Sequence, residues 1–358
     1  MMNRFPVLRH VWPMVCCGLL TTLCAPPPLF ARTASAQKKV SVVVDPRIEL
    51  MTVVQLLSGY EVLTKVDSNY RREVERHFAT FKEHRAVKLF TEMSKARFRY
   101  DAVPKVMLAY SDPPALTPRV EAPADAIRRA GGKQKLEEFI GALREFSQQS
   151  RFGEFFAAQR ETFDRALAGL QPDVERAVTE LQAYSGVELK GCTLIAGMLI
   201  HNGGFQATLG SKENAEVYSV IGAFGTKDGI PVFSVEGSVR YLVHHEFSHS
   251  YINPLVEKFD SEVRKNAALY EPIKETMQRQ AYGNWPTAVH EHIVRAITIR
   301  LAYSRSQEAG DRLLKAEEDR GFKYVRALAE KLKEYEAART KYPGIPDFFP
   351  ELIRAFRL

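Results

Sequence analysis

His245-Glu246-Phe247-Ser248-His249 is the stretch on which the reading of this chain turns. On a helix, positions four apart lie about 40° from each other on one face, one turn apart, so the two imidazoles can reach one ion. Glu246 stands about 100° round from His245, close enough to hold a water at that ion without being a ligand. Two histidines and a carboxylate at this spacing form the HExxH arrangement, whose chemistry is zinc-assisted hydrolysis.

Outward from the pentapeptide, the spacing predicts a helix over 235–251, with Pro254 just past its end. Before it, 193–200 reads as a buried strand, 201–210 is rich in glycine, 216–224 is a second strand, and 225–231 is a turn. Residues 38–44 are β-branched and strand-like, and Asp45-Pro46 turns them into an apolar helix ending at Leu57. Helical spacing recurs at 66–82, 85–97, 133–148, 152–169 and 172–184. Proline-rich 113–123 and Gly131-Gly132 read as loops, and Pro286 is placed to open a late helix. The expected fold is therefore α+β, mainly helical, with a small sheet preceding the HExxH helix, the layout a zincin needs. A helical lobe over 37–185 and a catalytic lobe over 186–358 are expected, joined as two lobes or one domain.

The first 36 residues read as an export signal: Arg4 and Arg9, an apolar run over 11–23, then Ala34-Ser35-Ala36 before Gln37. The apolar run is too short to span a bilayer, so no stable membrane span is expected. Cleavage would remove Cys16, Cys17 and Cys24, leaving Cys192 alone and no internal disulfide. It would also remove three arginines and no acid, lowering the formal charge from +7 to +4. The remaining charges are interspersed along helices, which speaks against a nucleic-acid partner. The expected location is periplasmic or secreted.

A catalytic zinc takes three protein ligands and keeps a fourth position open, so a third ligand must come from elsewhere. The metzincin pattern would need glycine at 252 and histidine at 255, where the chain has Ile252 and Leu255. Glu291, in His290-Glu291-His292-Ile293-Val294-Arg295, is one candidate, and Cys192, in Gly191-Cys192-Thr193-Leu194, is the other. Glu291 is favoured because a thiolate ligand suits a reducing compartment. His290 and His292 flank it without forming a two-ligand face, and His244 has no partner at ligand spacing. Arg295, one turn after Glu291, either holds that carboxylate or makes a surface ion pair.

With zinc on His245, His249 and Glu291, a zinc-bound water would become acidic and Glu246 would act as its base in hydrolysis of a peptide or protein substrate. Tyr324 is the first choice for a group stabilising the oxyanion, with Tyr251, Tyr282 and Tyr303 as alternatives. The segment 203–209 is the expected sheet edge along which a peptide would lie, or a hairpin with close backbone approach. Two other readings stay open: a binding or scaffold protein without catalysis, and a hydrolase of non-peptide amides with Cys192 as third ligand.

At these residues the chain resembles the gluzincin branch of zinc metallopeptidases, and Cys192 is similarly placed to the cysteine ligand of peptide deformylases. More narrowly, 245–254, the early Val44-Asp45-Pro46-Arg47-Ile48-Glu49-Leu50 and the late 342–350 segment resemble a secreted bacterial family known as domain of unknown function 4932. The gluzincin resemblance implies ligands at His245, His249 and Glu291 and a base at Glu246. It departs from thermolysin-like members, which place an aspartate where Arg295 stands. Arg47 and Glu49 are expected to form a structural pair or cap.

Overall fold

The computed structural model describes residues 40–356 apart from 64, 190, 202, 211–214 and 236; the export-signal reading lies outside these residues. Residues 38–358 fall into one compact unit, and one hydrophobic cluster runs through it from Ile48 to Phe356.

The sheet has four strands, β1 (Ser41–Val43), β2 (Cys192–Gly197), β3 (Gly204–Leu209) and β4 (Glu216–Gly222), in the order β1-β2-β4-β3. β1, β2 and β4 are parallel, and β3 runs antiparallel to β4 with Phe205 opposite Val220. β3 is thus an edge, as expected for 203–209. A two-stranded ribbon, β5 (Gly225–Lys227) with β6 (Ile230–Val232), fills the expected turn.

Helices α1 (Pro46–Leu57), α2 (Asn69–His77), α3 (Arg85–Ala96), α4 (Ala102–Met107), α5 (Ala124–Arg129) and α6 (Lys133–Gln149) precede the main sheet strands. So do α7 (Phe152–Ala158), α8 (Arg160–Leu167) and α9 (Leu170–Ser185). After the ribbon come α10 (Ser238–Lys258), α11 (Asp260–Lys265), α12 (Lys274–Arg279), α13 (Trp285–Tyr303), α14 (Gln307–Asp319), α15 (Val325–Ala337) and α16 (Ile345–Ile353). The sequence pattern did not anticipate α4 or α5, which are too short for periodicity to register. The helix expected over 152–169 breaks at Gln159 into α7 and α8.

Asp45 caps α1, its carboxylate accepting from the Arg47 and Ile48 amides. Arg47 returns to Asp45 through Nε and Nη2 and donates through Nη1 to the carbonyls of Leu108 and Tyr110, tying α1 to the end of α4. Glu49 does not pair with Arg47. It is fully buried and accepts from the Met198 amide at 2.9 Å and the Tyr70 hydroxyl at 2.7 Å.

α10 and α13 are buried around most of their circumference, polar side chains included, as helices enclosed on all sides are. They pack on each other, and α10 also lies on β3, β4 and α9. α10 runs past Tyr251 and through Pro254 to Lys258, longer than the proline suggests. Pro254 cannot donate to the Ser250 carbonyl, but burial of Leu255 and Val256 in the next turn offsets that loss. Asn284 caps α13 by accepting from the Thr287 amide, with Pro286 in the first turn as expected. No helix of the described residues is long and apolar enough to cross a membrane.

Candidate metal centre

Because α10 packs on α13, the face carrying His245 and His249 meets the face carrying Glu291. His245 Nε2 is 3.4 Å from His249 Nε2, His249 Nε2 is 3.2 Å from Glu291 Oε1, and His245 Nε2 is 3.6 Å from Glu291 Oε2. All three side chains are buried, and together they form a group able to hold a metal ion. The spacings can be compared with a tetrahedral site: metal–donor bonds of about 2.0–2.1 Å imply donors about 3.3 Å apart. The observed values bracket that figure. The lone pairs are also available. His249 Nδ1 is 3.1 Å from Asn253 Oδ1, which as acceptor takes the ring proton and leaves Nε2 free for a cation. Glu291 Oε2 accepts no well-aligned hydrogen bond among the described residues, the Arg295 guanidinium beside it at 3.1 Å making an ion pair instead.

Burial and charge set the protonation of the group. Burial holds the His245 imidazole well below its ordinary range. Burial also pulls on His249, but Glu291 beside it outweighs that pull and the net direction is upward. Burial would raise Glu291, yet His249, His245 and Arg295 together hold it well below the usual carboxylate range. The site therefore keeps Glu291 anionic and His245 neutral, the states that ligands require, while the proton that Glu291 favours on His249 would have to leave for a metal to bind.

Arg295 is buried, so its contact with Glu291 is no surface ion pair. Its Nη2 lies 3.1 Å from Glu291 Oε2 and 3.2 Å from the Tyr282 hydroxyl. Its Nη1 donates to Glu317 Oε2 at 2.7 Å and to the Tyr241 hydroxyl at 3.2 Å. The guanidinium also sits 4.0 Å from the centre of the Phe322 ring. Tyr241 then stacks on His245, with ring centres 5.8 Å apart. Of this support, Tyr241 and Asn253 stand four residues from His245 and His249 and were discoverable from helical spacing. Glu317 and Phe322 come from α14 and the segment after it, and no local signal points to them.

Glu246 is 6 % exposed and accepts no hydrogen bond from any described residue. Burial pushes its carboxyl up to about 7; His249 and, from α4, Lys105 moderate the shift. Gly204 of β3 lies directly against it. The Glu246 carboxyl is thus wedged between its own helix and the edge strand β3.

Other sequence candidates are placed elsewhere. Tyr324 is corrected: its hydroxyl donates to the Leu269 carbonyl at 2.7 Å, and its ring packs with Trp285, His292 and Phe356. The apolar surroundings of that segment drew it into an aromatic cluster. Tyr282 is the tyrosine beside Glu291 and Arg295. Tyr251 bonds Ser248, and Tyr303 bonds Asp311. Cys192 is buried at the start of β2 and is not part of the group able to hold a metal ion. His244 faces away and pairs with Glu180 at 3.2 Å, and His292 Nδ1 lies 2.7 Å from the Ala288 carbonyl.

A family described as a domain of unknown function (DUF4932) matches residues 40–355, and the chain belongs to it. The match takes in α10, α13 and every residue of the group just described. No curated protein and no solved structure matches the chain.

Proposed function

We propose that this protein is a zinc-dependent peptidase of gluzincin type, hydrolysing peptide bonds with Glu246 as general base. The observation that carries the reading is the donor triangle of 3.2, 3.4 and 3.6 Å beside a buried carboxyl that accepts no hydrogen bond from any described residue. His245, His249 and Glu291 would hold the ion, and two imidazoles with one carboxylate suit zinc. When bound, the ion would supply Lewis acidity toward a water and a carbonyl oxygen.

The chain's own residues would do the rest. Glu246, with its carboxyl near neutrality, is matched to take a proton from the attacking water and return it to the leaving nitrogen. The free edge of β3 would align an extended peptide through backbone hydrogen bonds, next to Gly204 and the base. Tyr282 and the Arg295 fork would keep Glu291 oriented. The signal pattern ahead of Gln37 supports action outside the cytoplasm.

Metal analysis of wild type and Glu291→Gln, together with hydrolysis of a mixed peptide library by wild type and Glu246→Gln, tests the proposal. One zinc per chain, lost in Glu291→Gln, and turnover lost in Glu246→Gln with zinc retained are the expected results. A wild type without stoichiometric metal would overturn it. Full occupancy with no turnover of any peptide would reassign the scaffold to binding or to non-peptide amides.

A further inference from the structure

His290 precedes the third ligand on α13, and the reading above gives it no task. It is only partly exposed, and its Nε2 is shut off from solvent without a hydrogen-bond partner among the described residues. An imidazole nitrogen left so loses the hydrogen bonds that water gives it, a cost natural cores seldom keep without a reason. Its surroundings name the reason. His249 and Glu291 of the candidate metal-binding group, and Lys105 of α4, are the charged groups that act on its ring, which therefore lies near that group. One turn earlier, Thr287 lines a solvent-open cleft with Tyr100, Gly283 and Asn284. Thr287 and His290 share a stripe of α13, so that stripe runs from the cleft toward the ligands.

Resting on the peptidase reading, we infer that His290 is a further catalytic residue, whose imidazole donates a hydrogen bond from Nε2 to the oxygen of the scissile carbonyl. That oxygen gains negative charge as water adds, and a donor already aimed at it is worth most in a site closed to solvent. The assignment explains why Nε2 has no partner among the described residues: its partner arrives with the substrate. It also fits Tyr282, whose hydroxyl is already engaged by Arg295.

The test compares wild type, His290→Leu and His290→Gln for zinc content, thermal midpoint and turnover of the same peptide library, with Glu246→Gln as the inactive control. Leucine should leave zinc at one per chain and the midpoint unchanged or raised. It should cut kcat by about 100-fold with little change in KM, the signature of a lost oxyanion donor. Glutamine, which presents an amide donor at similar reach, should recover part of that loss. If leucine lowers the midpoint by many degrees, the imidazole serves the fold and the inference fails. If leucine turns over peptides as wild type does, the inference fails while the peptidase reading stands. If wild type itself hydrolyses no peptide, both fall.

Discussion

A Cβ built on Gly204 would lie 2.4 Å from Oε1 of Glu246, so the edge strand and the candidate base touch without room for a methyl group. The clash is with the end of a flexible side chain rather than with backbone. Gly204→Ala should therefore fold, with the Glu246 carboxylate pushed from its place. Turnover should fall by about 100-fold, the scale of a mispositioned catalytic group, while zinc stays stoichiometric. Unchanged turnover would show that Glu246 has freedom to move.

Arg295 joins two buried carboxylates, Glu291 and Glu317, one of them a proposed ligand. Arg295→Met keeps the apolar stem and removes the cation, leaving Glu317 buried with a negative charge and with Arg320 and the Tyr241 hydroxyl at its other oxygen. Removing one partner of such a buried pair costs about 3–5 kcal/mol, which urea unfolding would read. Zinc affinity should also weaken by about 10–100-fold. A variant as stable as wild type would mean that α14 repacks to release Glu317.

Glu49 gives a pH dependence with a defined sign. Burial, opposed by the Met198 amide and the Tyr70 hydroxyl, raises its carboxyl from an ordinary 4.5 to about 7. Between those values the folded chain binds more protons at this site than the unfolded chain, so stability falls as pH rises. The contribution is complete below about 4.5 and is lost as pH passes about 7, on the order of 3 kcal/mol. Unfolding free energies of wild type and Glu49→Gln, measured from pH 4.5 to 8, should therefore diverge in favour of the variant toward the alkaline end. A difference that does not vary with pH would refute it.

Cys192 tests the choice of third ligand. Burial pushes its thiol up to about 12, so it carries no thiolate at neutral pH and no proposed role in metal binding. It should react with a thiol reagent only after unfolding, and Cys192→Ala should keep its zinc where Glu291→Gln loses it. Zinc loss in Cys192→Ala with a folded spectrum would restore the thiolate reading.

Much of this architecture could be read from local pattern, because the forces that set it are local. The period of His245 and His249, the cap and proline ahead of α13, and the apolar runs that became β2 and β4 each need only neighbours a few residues away. Pro254 and Tyr324 show where that reasoning stops. A proline directly before buried Leu255 and Val256 ends a helix by propensity but not when the following turn is enclosed. A tyrosine in an apolar stretch goes wherever its hydroxyl finds an acceptor, here the carbonyl of Leu269.

The amino-acid sequence alone determined the pair of imidazoles, the carboxylate beside them and the family to which the chain belongs, since side-chain identity at helical spacing suffices for each. Tertiary structure decided the third donor, 42 residues beyond His249 in the chain and 3.2 Å from it in space. It decided too that Arg295 would be enclosed between Glu291 and Glu317 and that Gly204 would abut Glu246. Those relations exist only where α10, α13, α14 and β3 converge. Their energies depend on burial, which removes the water that would otherwise screen a charge or fill the space of a missing side chain.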